Sequence, residues 1–316
     1  MQGLVLLPEV YNTYPSQGRY MPLFNMLRDK LGFDIIHSNN YLVSSITADI
    51  VITFKSPENS NPQLMSNIVE LPKDKKLIGY FADVHTSGDL TGINTQLDEE
   101  YIIAMHRMLS RCDIILCPYD NVFRKKWPEF VDKYIFFPHF IEYDLYRYLQ
   151  TSNYRKHKCL LTGSLDTAAY PLRNHVVALN HPMVDFIKHP GYLIGDKLAK
   201  AMGFAVGEDY ANLLNQYVCN VATSGKMNYV VAKYFEILAA GTILLANYTL
   251  DLDLLGFEEE KHYVRIDRGN FSNKLKYILL NYDKYKILID ENREFIFDNH
   301  TERNRFKQLR EIIDGL

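Results

Sequence analysis

A chain of 316 residues, 47% of them hydrophobic, can fill two cores of about 150 residues each, which excludes a disordered or fibrous protein. Its formal net charge of −3 favours no polyanionic partner, so nucleic acid is not expected. No apolar run reaches the roughly 20 residues that span a bilayer, and the first residues read as a buried strand rather than a leader; a cytoplasmic protein is expected because the four cysteines read as reduced.

The elements then alternate. Residues 4–7 form a brief apolar strand, followed by a loop with Pro8, Pro15 and Gly18 and a helix over 20–31. Residues 34–37, 49–54 and 77–81 repeat the short, nearly continuous apolar run that suits a parallel sheet buried on both faces. A helix over 96–110, a strand over 113–116 ending at Pro118 and a strand over 134–137 ending at Pro138 complete this half. A polar, aperiodic stretch near 149–157 marks a boundary. The pattern restarts with a strand over 158–162 and a helix opened by Pro171 and running to about 179. A helix over 209–216 leads into a strand over 218–223. A further helix stops at Gly241, and strands follow over 243–246 and 262–266. From Phe271 the chain is mostly helical, with Thr301 a candidate cap for the last helix. The order predicts an α/β protein of two Rossmann-like, doubly wound domains, over 1–150 and 151–298, with a helix over 299–316 packing back on the first. Ligands of such sheets bind beyond the carboxyl ends of the strands, which places a central cleft between the two domains.

Cys112, Cys117, Cys159 and Cys219 form no metal-binding spacing and read as reduced, buried hydrophobes. The ten histidines are scattered, so no metal is expected, and no cofactor. The 23 tyrosines read as core and half-buried packing, and the run Arg124-Lys125-Lys126 as a solvated helix face.

Chemistry is expected just after strands. Lys226, Asn228, Tyr229, Lys233 and Glu236 occupy a loop and the helix that follows it, with Lys233 and Glu236 on one face. A carboxylate at a helix start can accept hydrogen bonds from two ribose hydroxyls, and lysines offset diphosphate charge. The competing reading is a surface ion pair, with Asn228 as the helix cap. Gly163, after a strand, admits a ligand phosphate close to the backbone, and Arg173, within the helix that Pro171 opens, could bind it bidentately. Asp83 and His85 follow the strand over 77–81 and offer a catalytic base or sugar ligand, or else cap a turn. Gly18 and Arg19 form the matching loop after the first strand, facing a diphosphate or an acceptor. His139 reads as a structural histidine.

Glu236-Ile-Leu-Ala-Ala-Gly241 resembles the donor-site motif of the GT-B glycosyltransferases. Retaining members carry a second glutamate eight positions before it, where this chain has Asn228. The pattern without that glutamate is similar to the spore-maturation-protein-like (CgeB-like) branch of the group 1 transferases. So are Tyr170-Pro-Leu-Arg173, the stretch His189-Pro-Gly-Tyr192, the run over 255–264 and His300-Thr-Glu-Arg303. The resemblance implies transfer of a sugar from a nucleotide-diphosphate donor to a hydroxyl of a glycan, a lipid-linked or another acceptor, without metal and with retention. It also implies a histidine near the donor sugar, the position of His85. Two alternatives stay open: a binding or structural protein of this fold that has lost catalysis, and a transferase acting on modified nucleic-acid bases.

Overall fold

The computed structural model describes residues 2–7, 20–37, 43–55, 68–82, 84–149, 154–166, 168–188 and 196–316. The chain divides into two compact units, one of Met1–Pro138 with Phe306–Leu316, the other of His139–Arg305.

The first unit holds strands β1 (Gly3–Leu7), β2 (Asp34–His37), β3 (Ile50–Lys55), β4 (Lys76–Phe81), β5 (Ile114–Cys117) and β6 (Tyr134–Phe136). They form one six-stranded sheet in the order β2-β1-β3-β4-β5-β6, parallel throughout. Every residue of β1 is buried, as expected of a strand covered on both faces. Helix α1 (Met21–Leu31) covers the sheet with Leu23, Phe24 and Leu27. Its start joins a ladder of rings in which Phe54 lies 4.5 Å from Phe24 and 4.6 Å from Tyr80 between centroids. The Tyr20 and Tyr80 hydroxyls meet at 3.2 Å inside this ladder. Much of the aromatic content is therefore core, where paired rings contribute about 1 kcal/mol beyond their buried area.

Helices α2 (Ser87–Thr91), α3 (Gln96–Arg111) and α4 (Asp120–Lys126) complete the part that bears on function. The basic run is the last turn of α4, where it suits the helix dipole, and two of its three members are paired. Arg124 pairs with Asp120 at 2.9 Å and Lys126 with Asp89.

The second unit holds β7 (Lys156–Gly163), β8 (Val184–Lys188), β9 (Tyr217–Ala222), β10 (Ile243–Ala246) and β11 (Tyr263–Arg265), parallel in the order β11-β10-β9-β7-β8. Strand β8 escapes a reading of apolar runs. It is a half-buried edge strand carrying Asp185, which accepts from Lys158 Nζ at 2.8 Å and from the Tyr217 hydroxyl at 3.0 Å. Helices α5 (Pro171–Ala178), α6 (Glu208–Asn215), α7 (Lys233–Ala239), α8 (Ile289–Asn299) and α9 (Glu302–Asp314) matter most here. Gly241 adopts the expected left-handed conformation (φ 70°), and a Cβ there would sit 2.9 Å from Arg293 Cδ. Thr301 caps α9, its hydroxyl accepting from the Asn304 amide at 3.4 Å. All four cysteines are free and buried.

The second unit begins at His139, ahead of the polar stretch near 149–157, because the residues after Pro138 pair with its end. The Ile141 amide donates to His300 O at 3.0 Å, the Glu302 amide to Ile141 O at 3.1 Å, and the Tyr143 amide to the Glu302 carboxylate at 2.7 Å. His139 is buried within this region, at 2% exposure. From Phe306 onward α9 belongs to the first unit, where Gln308 Nε2 donates to Phe136 O at 2.8 Å.

In each sheet the chain winds first to one side and then to the other. The order reverses between β1 and β3, and again between β7 and β9. The crevice outside the carboxyl ends of two such strands is where doubly wound sheets take their ligands.

Candidate functional site

In the second unit, the residues after β7 and β9 meet at that crevice. Gly163 ends β7 with φ 123°, a conformation side chains rarely adopt. A Cβ there would lie 2.6 Å from Arg173 Nη1 and 3.1 Å from Lys233 Nζ, so only glycine lets the two cations converge.

Arg173 rises from the first turn of α5, started by Pro171, and is 5% exposed. Its Nη1 donates to Ser164 O at 2.7 Å and its Nη2 to Thr223 Oγ1 at 3.3 Å, so it bridges the two strand ends. The Tyr170 ring lies 3.8 Å below the guanidinium carbon, a cation–π contact that holds the fork in plane. Lys233 is the first residue of α7, and its ammonium donates to Thr162 O at 2.5 Å. Burial, then the neighbouring Arg173, push its pKa down to about 7, while Glu236 pulls the other way. Two cations crowded together at a carboxyl-terminal strand edge favour an anion that would complete them.

Glu236 stands one turn along α7. The helix is fixed from behind: Phe235 packs 5.6 Å from Phe257 and 5.0 Å from His300, and His262 stacks on Phe295 at 4.2 Å. His262 and His300 are structural here. Burial lowers their pKa values to about 4 and about 3, so both are neutral at pH 7.

One expectation about this segment is corrected. Asn228 does not cap the helix, which begins later with Ala232 at the capping position and no side-chain cap. The amides of Tyr234, Phe235 and Glu236 already donate to Val231 and Ala232 carbonyls. What α7 offers a phosphate is therefore the Lys233 ammonium rather than those backbone groups. Asn228 instead occupies a left-handed turn position (φ 57°) on an exposed loop tip beside exposed Lys226. That loop is stapled to the one before α5, the Lys226 amide donating to Ala169 O at 2.7 Å. Tyr229 is 5% exposed, and its amide donates to Ser224 O at 3.0 Å.

The structure thus brings Gly163, Arg173, Lys233 and Glu236 together and leaves Lys226 and Asn228 at the loop tip. Sequence reasoning missed Thr162, Thr223 and Tyr210. Tyr210, on α6, places its hydroxyl 3.1 Å from Thr162 Oγ1. No periodicity marks it, because the contact joins residues 48 apart.

In the first unit, Asp83, Gly18 and Arg19 lie outside the described residues, as does the stretch 189–192. His85 is half-buried at the head of α2. Thr86 and Asp89 form a capping box there, and Thr95 and Asp98 form a second at α3. Asp98 ties the two, accepting from Ser87 Oγ at 2.8 Å and from the Gly88 amide at 3.2 Å. Burial, then Lys126, lower the His85 pKa against the opposing pull of Asp89. At neutral pH the side chain is therefore a neutral imidazole, a hydrogen-bonding group rather than a cation.

Residues 173–311 match the model of a family described as glycosyl transferase-like. No curated protein matches the chain in sequence. Among solved structures, Anabaena HepE in complex with UDP-glucose is similar with a TM-score of 0.66 at 10% identity, over 100% of both chains. TarM is similar with a TM-score of 0.58 at 13% identity, over 83% of this chain and 54% of its own, so the chain spans about half of TarM. A glycosyltransferase from Rickettsia africae gives 0.53 at 11% identity, over 98% and 97%. The two parallel sheets are those of the GT-B fold. The chain thus has the GT-B fold, and the segment that matches the glycosyl transferase-like family lies almost wholly in the second unit.

Proposed function

We propose that this chain transfers a sugar from a nucleoside-diphosphate donor to an acceptor hydroxyl, without a divalent metal and with retention of configuration. The observation that carries the reading is the convergence of Arg173 and Lys233 on Gly163 at the β7–β9 switch point, with Glu236 one turn further along α7. Arg173 and Lys233 take the diphosphate, with Lys226 and Asn228 on the neighbouring loop tip and Tyr229 holding that loop in place. Glu236 accepts from the ribose hydroxyls. Negative charge develops on the diphosphate as the glycosidic bond breaks. Fixed cations in a half-buried site stabilise that charge without reorganising, which is the service a metal performs in other transferases. HepE, similar in fold, was solved with UDP-glucose and with UDP, which makes uridine diphosphate the first candidate leaving group.

In the first unit, His85 serves a sugar or acceptor hydroxyl as a neutral imidazole, with Asp83 beside it in sequence. Retention rests on the likeness of the stretch 236–241 to the retaining motif. The acceptor is a glycan, a lipid-linked or another hydroxyl compound. Four buried free cysteines, and the absence among the described residues of any helix long and apolar enough to cross a membrane, support action in the cytoplasm.

Calorimetry with uridine, guanosine and cytidine diphosphates on the wild type and Glu236→Ala tests the reading. One base binds clearly, and the variant loses at least about tenfold, 1.4 kcal/mol. Unchanged affinity removes the ribose role of Glu236. Asn228, standing where retaining members have glutamate, favours a second reading in which the donor is bound but not turned over. Thermal stabilisation by a nucleotide sugar without release of its nucleotide would establish it.

A further inference from the structure

The hydroxyls of Tyr210 and Thr162 form a donor pair that no role above uses. Tyr210 is on α6, which leads directly into β9, and its hydroxyl reaches Thr162 Oγ1 at 3.1 Å near the end of β7. Thr162 is 7% exposed, and its carbonyl accepts from Lys233. One residue therefore holds the site's lysine by its backbone and Tyr210 by its side chain. The charges that act on Tyr210 are those of Glu236 and Arg173. Burial, reinforced by Glu236, raises the phenol's pKa, so it keeps its proton at any working pH.

The pair carries two hydroxyl protons, and the bond between them uses one. The other O–H needs an acceptor outside the pair, because a buried donor left unmade costs about 1–3 kcal/mol. A ribose diol both donates and accepts, whereas an ionised glutamate can only accept. Glu236 alone satisfies the diol's protons and leaves its lone pairs without a donor. The diphosphate oxygens already have Arg173 and Lys233.

We propose that Tyr210 is a specificity-determining residue of the donor site, its hydroxyl acting with that of Thr162 as the donor to the ribose diol from which Glu236 accepts. The assignment rests on the nucleotide reading above and deepens it, making the site selective for ribonucleotides over deoxyribonucleotides through a residue outside the motif on α7.

The test measures the Kd of the best-bound of uridine, guanosine and cytidine diphosphates, and of its 2′-deoxy and 3′-deoxy analogues. The proteins are the wild type, Tyr210→Phe and Thr162→Val, each first checked for an unchanged melting temperature in the absence of ligand. Tyr210→Phe is expected to weaken the ribonucleotide about fivefold, the worth of one neutral hydrogen bond, while one deoxy analogue binds within about twofold of its wild-type affinity. Thr162→Val should reproduce the pattern. Equal loss for all three ligands means that Tyr210 serves the phosphates or the fold, and overturns the assignment, as does no loss at all. A wild type that binds none of the three nucleotides overturns the nucleotide reading itself, a result distinct from either.

Discussion

Lys233 makes the donor site sensitive to pH in a direction that can be worked out in advance. Its pKa in the free protein, lowered to about 7 by burial and Arg173, lies well below that of an ordinary lysine. A bound diphosphate adds negative charge beside the ammonium and raises that value. Below pH 7 the lysine is charged both before and after binding, so affinity does not depend on its titration. Above pH 7 the free protein loses the proton and binding must take one up. Affinity then falls by up to about tenfold, or 1.4 kcal/mol, for each pH unit, until the pKa of the complex is reached. The phosphates of the ligand are themselves ionised throughout this window, their last pKa lying near 6. Titration calorimetry between pH 7 and 9, in buffers of different ionisation enthalpy, should show proton uptake rising from about one half towards one. Lys233→Arg keeps the charge at every pH and should flatten the profile. Lys233→Met should flatten it at a weaker affinity. Wild-type binding that is independent of pH from 7 to 9, with no proton taken up, would refute the claim that the diphosphate completes this pair of cations.

Gly163→Ala places a methyl group 2.6 Å from Arg173 Nη1 at a φ of 123°, so the guanidinium must move. A loss of diphosphate affinity of at least about tenfold in calorimetry, with destabilisation of about 1–3 kcal/mol in urea unfolding, is expected. Wild-type affinity in the folded variant would remove Arg173 from the site. His262 and His300 remain neutral in the folded protein down to about pH 4 and about pH 3, whereas the unfolded chain protonates them near 6.5. Their contribution to stability is therefore complete above pH 6.5 and is lost as pH falls towards those values. Urea unfolding at pH 7 and pH 4.5 should show His262→Gln losing about 2 kcal/mol less than the wild type over that range. An equal loss in both proteins would place the acid sensitivity elsewhere.

The order of strands and helices was legible along the chain because fully buried parallel strands need nearly unbroken apolar runs, which β1 and β10 possess. The glycine stop at Gly241 and the charged pair on α7 were equally plain, being local. What the sequence could not determine is which strands lie side by side. Half-buried β8, with Asp185 as its second residue and Lys188 as its last, carries no unbroken apolar run, yet its place beyond β7 is what opens the switch point between β7 and β9. Only the tertiary structure decided that Arg173 spans those two strand ends, that Lys233 turns to the Thr162 carbonyl, and that Tyr210 joins them from another helix. Periodicity records the face on which a residue lies. Contacts between residues 48 to 71 positions apart depend on how the sheet orders its strands, which no local pattern encodes.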